Sequence, residues 1–529
     1  MREENTILKD WRNIELSFGL IYPNIYEVGA SSYAIRLLYH LINSHEKVAC
    51  ERFFLPRNIK FPASLDYKDS DVLRSIESGR PALEFDVLGF TIQFENDFRN
   101  ILWILEKIGI PFDSEKRSFT KNKNESEFPL IIGGGPVVAS NPLPLGEFFD
   151  FFLVGDAEPI LSDLLSLIRE YKDGESSSKE FLERLSEFEC IYIPTIKNKI
   201  KRSVLTSLDN SIVPTRQLIS KSTPDKKIFE ENFFIELSRG CPFSCKFCIS
   251  SCHNFPFRFR TLKNVKEVIA EGILRSHFDK ISLIGSCVTS HPDFPDICKY
   301  ILNEGKTLSI PSIRIEHVTP ELVNILERAN VKTITIAPEA GNEDLRYSLG
   351  KKIPDSKILE VFEMINDSSI RNIKLYFLVG LPGETDKDVE EIAILIQKAA
   401  KLGFERKSLR VNVNPFIPKL NTPYSNAVEN YYVNNLSNLR EKFKTLRAML
   451  EKIPSIKLKI KNEKEIVNNA RLQALFSLID VRGSPLLLHY YKSGANMGAL
   501  RRASKEINFE FDDYLKQVHD GYNPWIIEK

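Results

Sequence analysis

The chain is poor in cysteine, with eight in 529 residues. No charged-then-apolar leader occupies Met1 to Asp10. Together these argue for a reducing cytoplasm and against a disulfide framework. A bias of charge is also missing, since 72 basic residues face 71 acidic ones for a net +1. That excludes a global electrostatic attraction to nucleic acid or to an anionic membrane, although local patches remain compatible with it. No apolar run approaches the length of a membrane span. Methionine occurs four times and glutamine five, which hints at selection against thermolabile side chains even though asparagine is plentiful. At 529 residues with 43% hydrophobic content, the chain suits a globular protein of two or three domains.

The cysteines that carry information stand together. Cys241, Cys245 and Cys248 fall in the run Gly240-Cys-Pro-Phe-Ser-Cys-Lys-Phe-Cys248, directly after the apolar stretch Phe233-Phe-Ile-Glu-Leu237. Three thiolates offered by one loop can hold three irons of a four-iron, four-sulfur cluster and leave the fourth open to a ligand. A zinc site is the rival, because Cys252 and His253 could complete a tetrahedron. Structural zinc usually takes its ligands as two separated pairs, whereas this whole set sits behind one predicted strand. Cys50, Cys190, Cys287 and Cys298 are isolated in apolar contexts and read as small core residues.

Hydrophobic periodicity gives an α/β protein. Leu16 to Tyr22 and Phe85 to Thr91 read as strands, Ser31 to Ser44 and Phe98 to Ile108 as helices. Two short apolar runs, Pro129 to Ile132 and Phe151 to Val154, lead into glycine at Gly133-Gly-Gly-Pro136 and Gly155-Asp-Ala-Glu158. Alternation of this kind implies a parallel sheet with a ligand crevice at its strand ends. Polar stretches near Lys172 to Lys179 and Ser220 to Lys227 suit a linker or surface excursion. Further strand candidates are Phe233 to Leu237, Lys280 to Ile284, Ser312 to Ile315, Thr333 to Ile336, Ile373 to Leu378 and Ser408 to Val413. The expected domains are 1–170, a linker at 171–230, a second α/β unit at 231–429, and a helical region at 430–529 with Leu436 to Leu450 and Glu463 to Ile479 as helices.

The cysteine spacing, with Phe247 just before the last thiol, resembles the signature of the radical S-adenosylmethionine (radical SAM) superfamily. Val379-Gly-Leu-Pro-Gly-Glu-Thr385 and Asn414-Pro-Phe-Ile-Pro-Lys-Leu-Asn-Thr-Pro423 resemble its later strand-end turns. The resemblance implies a partial (β/α)6 barrel holding a [4Fe-4S] cluster. SAM is chelated at the open iron and reductively cleaved to a radical by an external donor such as ferredoxin or flavodoxin. By the same resemblance Phe247, Gly285, Ser286, Glu339, Arg346 and Gly383 are cofactor-binding positions, with Glu339 at the ribose and Arg346 or Lys351 at the SAM carboxylate. No catalytic residue beyond these is assigned.

The set Tyr22 to Gly29, Asp86 to Phe90, Gly134 to Pro136 and Val154 to Asp156 resembles a Rossmann-like cobalamin-binding-type domain. Tyr26-Glu-Val-Gly29 stands where such domains carry a histidine, so any cobalamin lacks that lower ligand, or the domain has kept its fold without the cofactor. The alternating Phe255, Phe257 and Phe259 read as an extended segment whose apolar face shields the cluster.

Taken whole, including Leu478-Ile-Asp-Val-Arg-Gly483, the chain is similar to the archaeal ring synthases of glycerol dialkyl glycerol tetraether (GDGT) lipids. That implies a lipid substrate, carbon–carbon bond formation, and a cytoplasmic protein with at most peripheral membrane contact. A cobalamin-dependent methyltransferase, a tRNA methylthiotransferase and a non-catalytic iron–sulfur or zinc protein stay open. No basic RNA-binding module is visible, and nucleic acid is not an expected partner.

Overall fold

The structure is a computed structural model and describes residues 3–63, 73–117, 128–196, 199–220, 232–460 and 462–528. Most of the expected excursion after Ser220 lies outside the described residues.

The first domain is built on a six-stranded sheet: β1 (Leu16–Ile25), β2 (Val48–Leu55), β3 (Val87–Thr91), β4 (Leu130–Gly134), β5 (Phe151–Leu153) and β6 (Ile191–Tyr192). Its order is β2-β1-β3-β4-β5-β6, parallel except for the last pair. Strand alternation sends Phe18, Leu20 and Val87 to one face, where they pack with α1 (Tyr33–Asn43) and α3 (Leu161–Lys172). Ile21, Leu88 and Phe90 go to the other face, against α2 (Phe98–Lys107). The chain leaves β1 toward β2 on one side, while β3 lies on the other. The carboxyl edge between β1 and β3 is therefore a topological switch point, the usual crevice of an open α/β sheet.

Strand β2 was not among the strands expected from the sequence. The helix Ser178–Ser186 and strand β6 both belong to the first domain, inside the stretch read as a linker.

The second unit is an open barrel of parallel strands: β7 (Asn232–Glu236), β8 (Lys280–Ile284), β9 (Thr307–Ser309), β10 (Thr333–Glu339), β11 (Asn372–Val379), β12 (Leu409–Pro415) and β13 (Ile456–Lys459). An Ile313–Ile336 bridge joins its two halves. The third strand lies at Thr307–Ser309, upstream of the expected Ser312 to Ile315, and β13 extends the barrel beyond six strands into the region read as wholly helical. The outer edge of β7 is closed by a side chain. Gln217 donates to the Phe234 carbonyl at 2.6 Å and accepts from the Phe234 N–H at 2.9 Å. Helices Leu436–Leu450, Glu463–Leu478, Gly483–Lys492, Met497–Glu506 and Phe511–His519 form the tail. No helix among the described residues is long and apolar enough to cross a membrane.

Candidate active site

The cysteine loop is pinned at both ends. Ser238 and Arg239 pair antiparallel with Phe259 and Arg258, closing the chain between them into a loop at the carboxyl end of β7. Gly240 has φ +81°, and a Cβ there would lie 2.3 Å from the Asn254 carbonyl oxygen, so the loop is closed only with glycine at that point. The Cys248 N–H donates to the Cys245 carbonyl at 3.1 Å, and the Lys246 N–H to the Leu349 carbonyl at 2.9 Å. Cys245 is buried, while Cys241 and Cys248 are half-buried.

Cations face the sulfurs. Arg314 Nη1 lies 3.9 Å from Cys245 Sγ, and its guanidinium stacks 3.5 Å above the Phe243 ring. Burial pushes the Cys245 thiol up, with Lys351 and Arg314 opposing it. Cys287, on the loop after β8, is buried and contacts Ser290 Oγ at 3.0 Å. Arg314 was not among the expected site residues, and Cys287 is buried as expected of a small core residue. Arg314 lies inside the expected strand Ser312 to Ile315, where a lone cation among apolar residues carried a faint signal.

The three thiols fit a cluster better than a single ion. Cys241, Cys245 and Cys248 come from one loop, an arrangement that suits the separate corners of a four-iron cluster. His253, the proposed zinc ligand, is buried with Nε2 against the Leu420 carbonyl at 2.9 Å, and burial holds its pKa down to about 4.

The barrel's carboxyl edge brings further expected residues to this loop. Glu339, the last residue of β10, has φ +72°, and the β10–β11 register slips between Ile336 and Glu339. Left-handed backbone at a glutamate costs energy and is kept where function requires the geometry. Its carboxylate accepts from Lys351 Nζ at 3.0 Å. Gly285 approaches the preceding strand end so closely that a Cβ would meet Ser238 Oγ at 2.5 Å, and Ser286 beside it is exposed. Phe247 packs on an apolar group with Ala340, Leu381 and Phe416. Gly383, at φ +76°, has open space where a side chain would stand. Glu384 braces that turn, accepting from the Gly380 N–H at 2.7 Å and from Lys442 at 2.6 Å.

Arg346 is placed differently from the expectation. It is fully buried, and its guanidinium donates to the carbonyls of Ala340, Gly341 and Ile353 and to Asp355. Those donors hold the turn after β10, which leaves Lys351 as the cation facing Glu339. The phenylalanines after the loop also differ: Phe255 and Phe259 are exposed, and Arg258 and Arg260 occupy the buried positions. Arg258 pairs with Asp156 at 2.6 Å, and Arg260 donates to the Glu236 and Ser211 carbonyls. The buried side of that extended segment is thus a set of domain contacts.

A second feature lies where the two domains meet. A slot of about 460 Å³ opens at the switch point, between α1 and α3 over β3 and β4. Its walls are apolar, with Leu20, Leu38, Leu164 and Ile168 among them, and its mouth reaches Arg239 and Ile284 beside the cysteine loop. Gly134 forms open floor, since a Cβ there would meet nothing closer than the Leu153 carbonyl at 3.7 Å. Two buried hydroxyls on the lining, Tyr33 Oη and Thr91 Oγ1, have no hydrogen-bond partner. Orphaned donors beside an apolar slot fit a ligand with a flat or chain-like body and polar atoms at its neck, as a corrinoid tail has. Among the described residues no histidine lines the slot.

The mouth is clamped by charge. Arg239 pairs with Asp156 at 2.9 Å, Glu158 at 2.9 Å and Glu236 at 2.8 Å, tying the loop after β5 to the residue two before Cys241.

Glu339→Ala is expected to weaken SAM binding by about 1–2 kcal/mol through loss of a charge-assisted hydrogen bond. Equilibrium binding on the anaerobically reconstituted protein checks this, and unchanged affinity with an intact fold removes Glu339 from the site.

Two family models match the chain: radical SAM proteins, N-terminal, over residues 34–194, and the radical SAM superfamily over residues 235–396. The uncharacterized protein MJ0966 of Methanocaldococcus jannaschii is 29% identical over 503 residues, 95% of this chain and 96% of that one. Among solved structures, the radical SAM methyltransferase TsrM of Kitasatospora setae, with cobalamin and a [4Fe-4S] cluster bound, matches at a TM-score of 0.56 and 12% identity. The match covers 93% of this chain and 99% of TsrM. The cobalamin-dependent SAM radical enzyme OxsB matches at 0.53 and 14%, over 93% of this chain and 75% of that one. The matched models, the thiol loop at the first barrel strand and the shared two-domain fold point the same way: residues 235–396 match the radical SAM superfamily, whose members use a [4Fe-4S] cluster and SAM, and the likeness to TsrM and OxsB is one of fold.

Proposed function

We propose that this enzyme functionalises unactivated carbons of a long saturated lipid, and specifically that it closes cyclopentane rings in archaeal GDGT membrane lipids. The apolar slot carries the reading: it is lined by aliphatic side chains and opens beside the cysteine loop. An alkyl chain offers burial and dispersion as its main binding forces, and such a wall supplies both. When bound at the cluster and reduced by one electron, SAM supplies a 5'-deoxyadenosyl radical able to take hydrogen from a carbon that has no acidic proton.

The chain's own residues bind and exclude. Cys241, Cys245 and Cys248 would hold three irons, Glu339 would take the ribose, and Lys351 would supply positive charge beside it. Helices α1 and α3 grip the lipid, and the Arg239 clamp keeps water from the gap between the domains. A ferredoxin or flavodoxin delivers the electron, and the lipid enters from a membrane surface that the protein touches only peripherally. Deleting the gene in a tetraether-making host is expected to lower the number of rings per lipid while keeping the tetraether skeleton. Unchanged rings, with no redundant relative present, overturn the lipid assignment.

A second reading, cobalamin-dependent methylation, is favoured by the orphaned Tyr33 and Thr91 hydroxyls and by the likeness to TsrM and OxsB. It expects cobalamin to bind without a protein nitrogen ligand, and Gly134→Leu, which fills the slot floor, to abolish that binding. Anaerobic titration with hydroxocobalamin, read by its visible and electron paramagnetic resonance (EPR) spectra, decides. No binding to the unaltered protein overturns this reading.

A further inference from the structure

We propose that the segment Phe255-Pro-Phe-Arg-Phe259 is a membrane-contact surface, an aromatic wedge that enters the headgroup region of a bilayer and sets the mouth of the apolar slot against the hydrocarbon beneath. The inference rests on the lipid reading above and adds the surface by which the protein reaches its substrate.

Phe255 is 63% exposed and Phe259 40%, with Pro256 exposed and Phe257 half-buried between them. The rings of Phe257 and Phe259 pack with centroids 5.8 Å apart. Apolar side chains exposed singly are ordinary, whereas a group of them on a fixed backbone marks an interaction site. The backbone here is fixed from beneath. Arg258 donates from Nε to the Pro256 carbonyl at 3.0 Å and from Nη2 to the Asn254 carbonyl at 3.3 Å, while its Nη1 pairs with Asp156 at 2.6 Å. A buried arginine thus presents the rings, and binding has little backbone left to order.

Position and charge select the occupant. Asn254, the residue before Phe255, lines the slot, whose mouth also takes in Arg239 and Ile284. An alkyl chain drawn from a bilayer at the wedge therefore meets the slot beside the point of contact and crosses no bulk water. Both arginines of the stretch, Arg258 and Arg260, are buried, so the wedge offers no cation to anionic headgroups. Its attraction is burial of aromatic rings at the membrane interface, which salt does not screen.

Sedimentation of the reconstituted full chain with dioleoylphosphatidylcholine vesicles tests this. The unaltered protein is expected to sediment with the vesicles equally at low and high salt. Phe255→Ser/Phe259→Ser is expected to bind about tenfold more weakly, with its circular dichroism unchanged. Leu274→Ser removes an 86% exposed side chain at the far end of the helix Leu262–Arg275 and is expected to bind as the unaltered protein does. An unaltered protein that stays in the supernatant overturns the proposal and leaves the exposed phenylalanines to a protein partner. A double variant that binds undiminished also overturns it, as does an equal loss in Leu274→Ser, which would reduce the contact to general stickiness. Vesicle binding that depends on the two phenylalanines, alongside unchanged ring numbers in the lipids of the deletion strain, would instead overturn the lipid assignment and leave the membrane contact standing.

Discussion

Cys241→Ala, Cys245→Ala and Cys248→Ala are each expected to lose the cluster and all SAM cleavage, whereas Cys50→Ala and Cys298→Ala keep both. The asymmetry follows from position. Cys50 and Cys298 are core residues, at 1% and 0% exposure, and removing a sulfur there costs only packing. The three loop cysteines would each serve one corner of a cluster held from one side, so none would have a duplicate. Iron and sulfide analysis after anaerobic reconstitution, with 5'-deoxyadenosine measured under strong reduction, checks the outcome. An active protein carrying one zinc and no iron would refute the assignment.

The second large effect concerns stability. Glu95, in the turn after β3, is 3% exposed and accepts from Lys419, from Ser477 Oγ at 3.0 Å and from Gln473 at 3.1 Å. The four residues come from the first domain, from the loop after β12 and from the helix Glu463–Leu478. One carboxylate therefore fastens all three regions. Burial pushes Glu95 up, but Lys419 and the hydrogen bonds bring it below the usual glutamate value. Its contribution is therefore present above that value and is lost as pH falls through the lowered one.

Lys419→Met leaves a buried carboxylate without its cation, and the expected loss is about 3–5 kcal/mol. The sign of the pH dependence reverses locally in this variant, because a carboxyl raised by burial alone is relieved when it takes up a proton on acidification. Lys419→Met/Glu95→Gln is expected to recover part of the loss. Denaturant unfolding at neutral and mildly acidic pH measures this. A loss below about 1 kcal/mol would mean that the site relaxes or admits water.

The elements that the sequence disclosed are those whose pattern is local. The helix over Leu436–Leu450 coincides with the expected one, and the thiol loop sits behind the expected strand. Strand β2 was illegible because Val48 to Leu55 mixes Cys50, Glu51 and Arg52 with apolar residues. Arg52 is buried and paired with Glu3 and Glu77, so its polarity is satisfied by partners far along the chain. The same reason hid the role of Arg346, whose carbonyl acceptors exist only once the turn after β10 has formed. Alternating phenylalanines gave the correct extended backbone at Arg258–Phe259 but the wrong buried side, since paired arginines outcompeted them for the interior. The slot's rim was legible in the glycines after β4 and β5, but its apolar depth was not, because that is made by a gap between α1 and α3, a property of their spacing across the sheet.

Gln217 and the Arg239 clamp have a consequence for anyone who would cut this enzyme into parts. A barrel beginning at Asn232 would keep its cysteines, but β7 would lose the amide that occupies its outer edge, and Arg239 would lose Asp156 and Glu158. A bare parallel strand edge flanked by Phe233 and Phe234 is a template for another copy of itself. The severed barrel should therefore accumulate as aggregate even under anaerobic conditions. The first domain, whatever ligand it holds, acts as a built-in chaperone for the cluster-bearing strand.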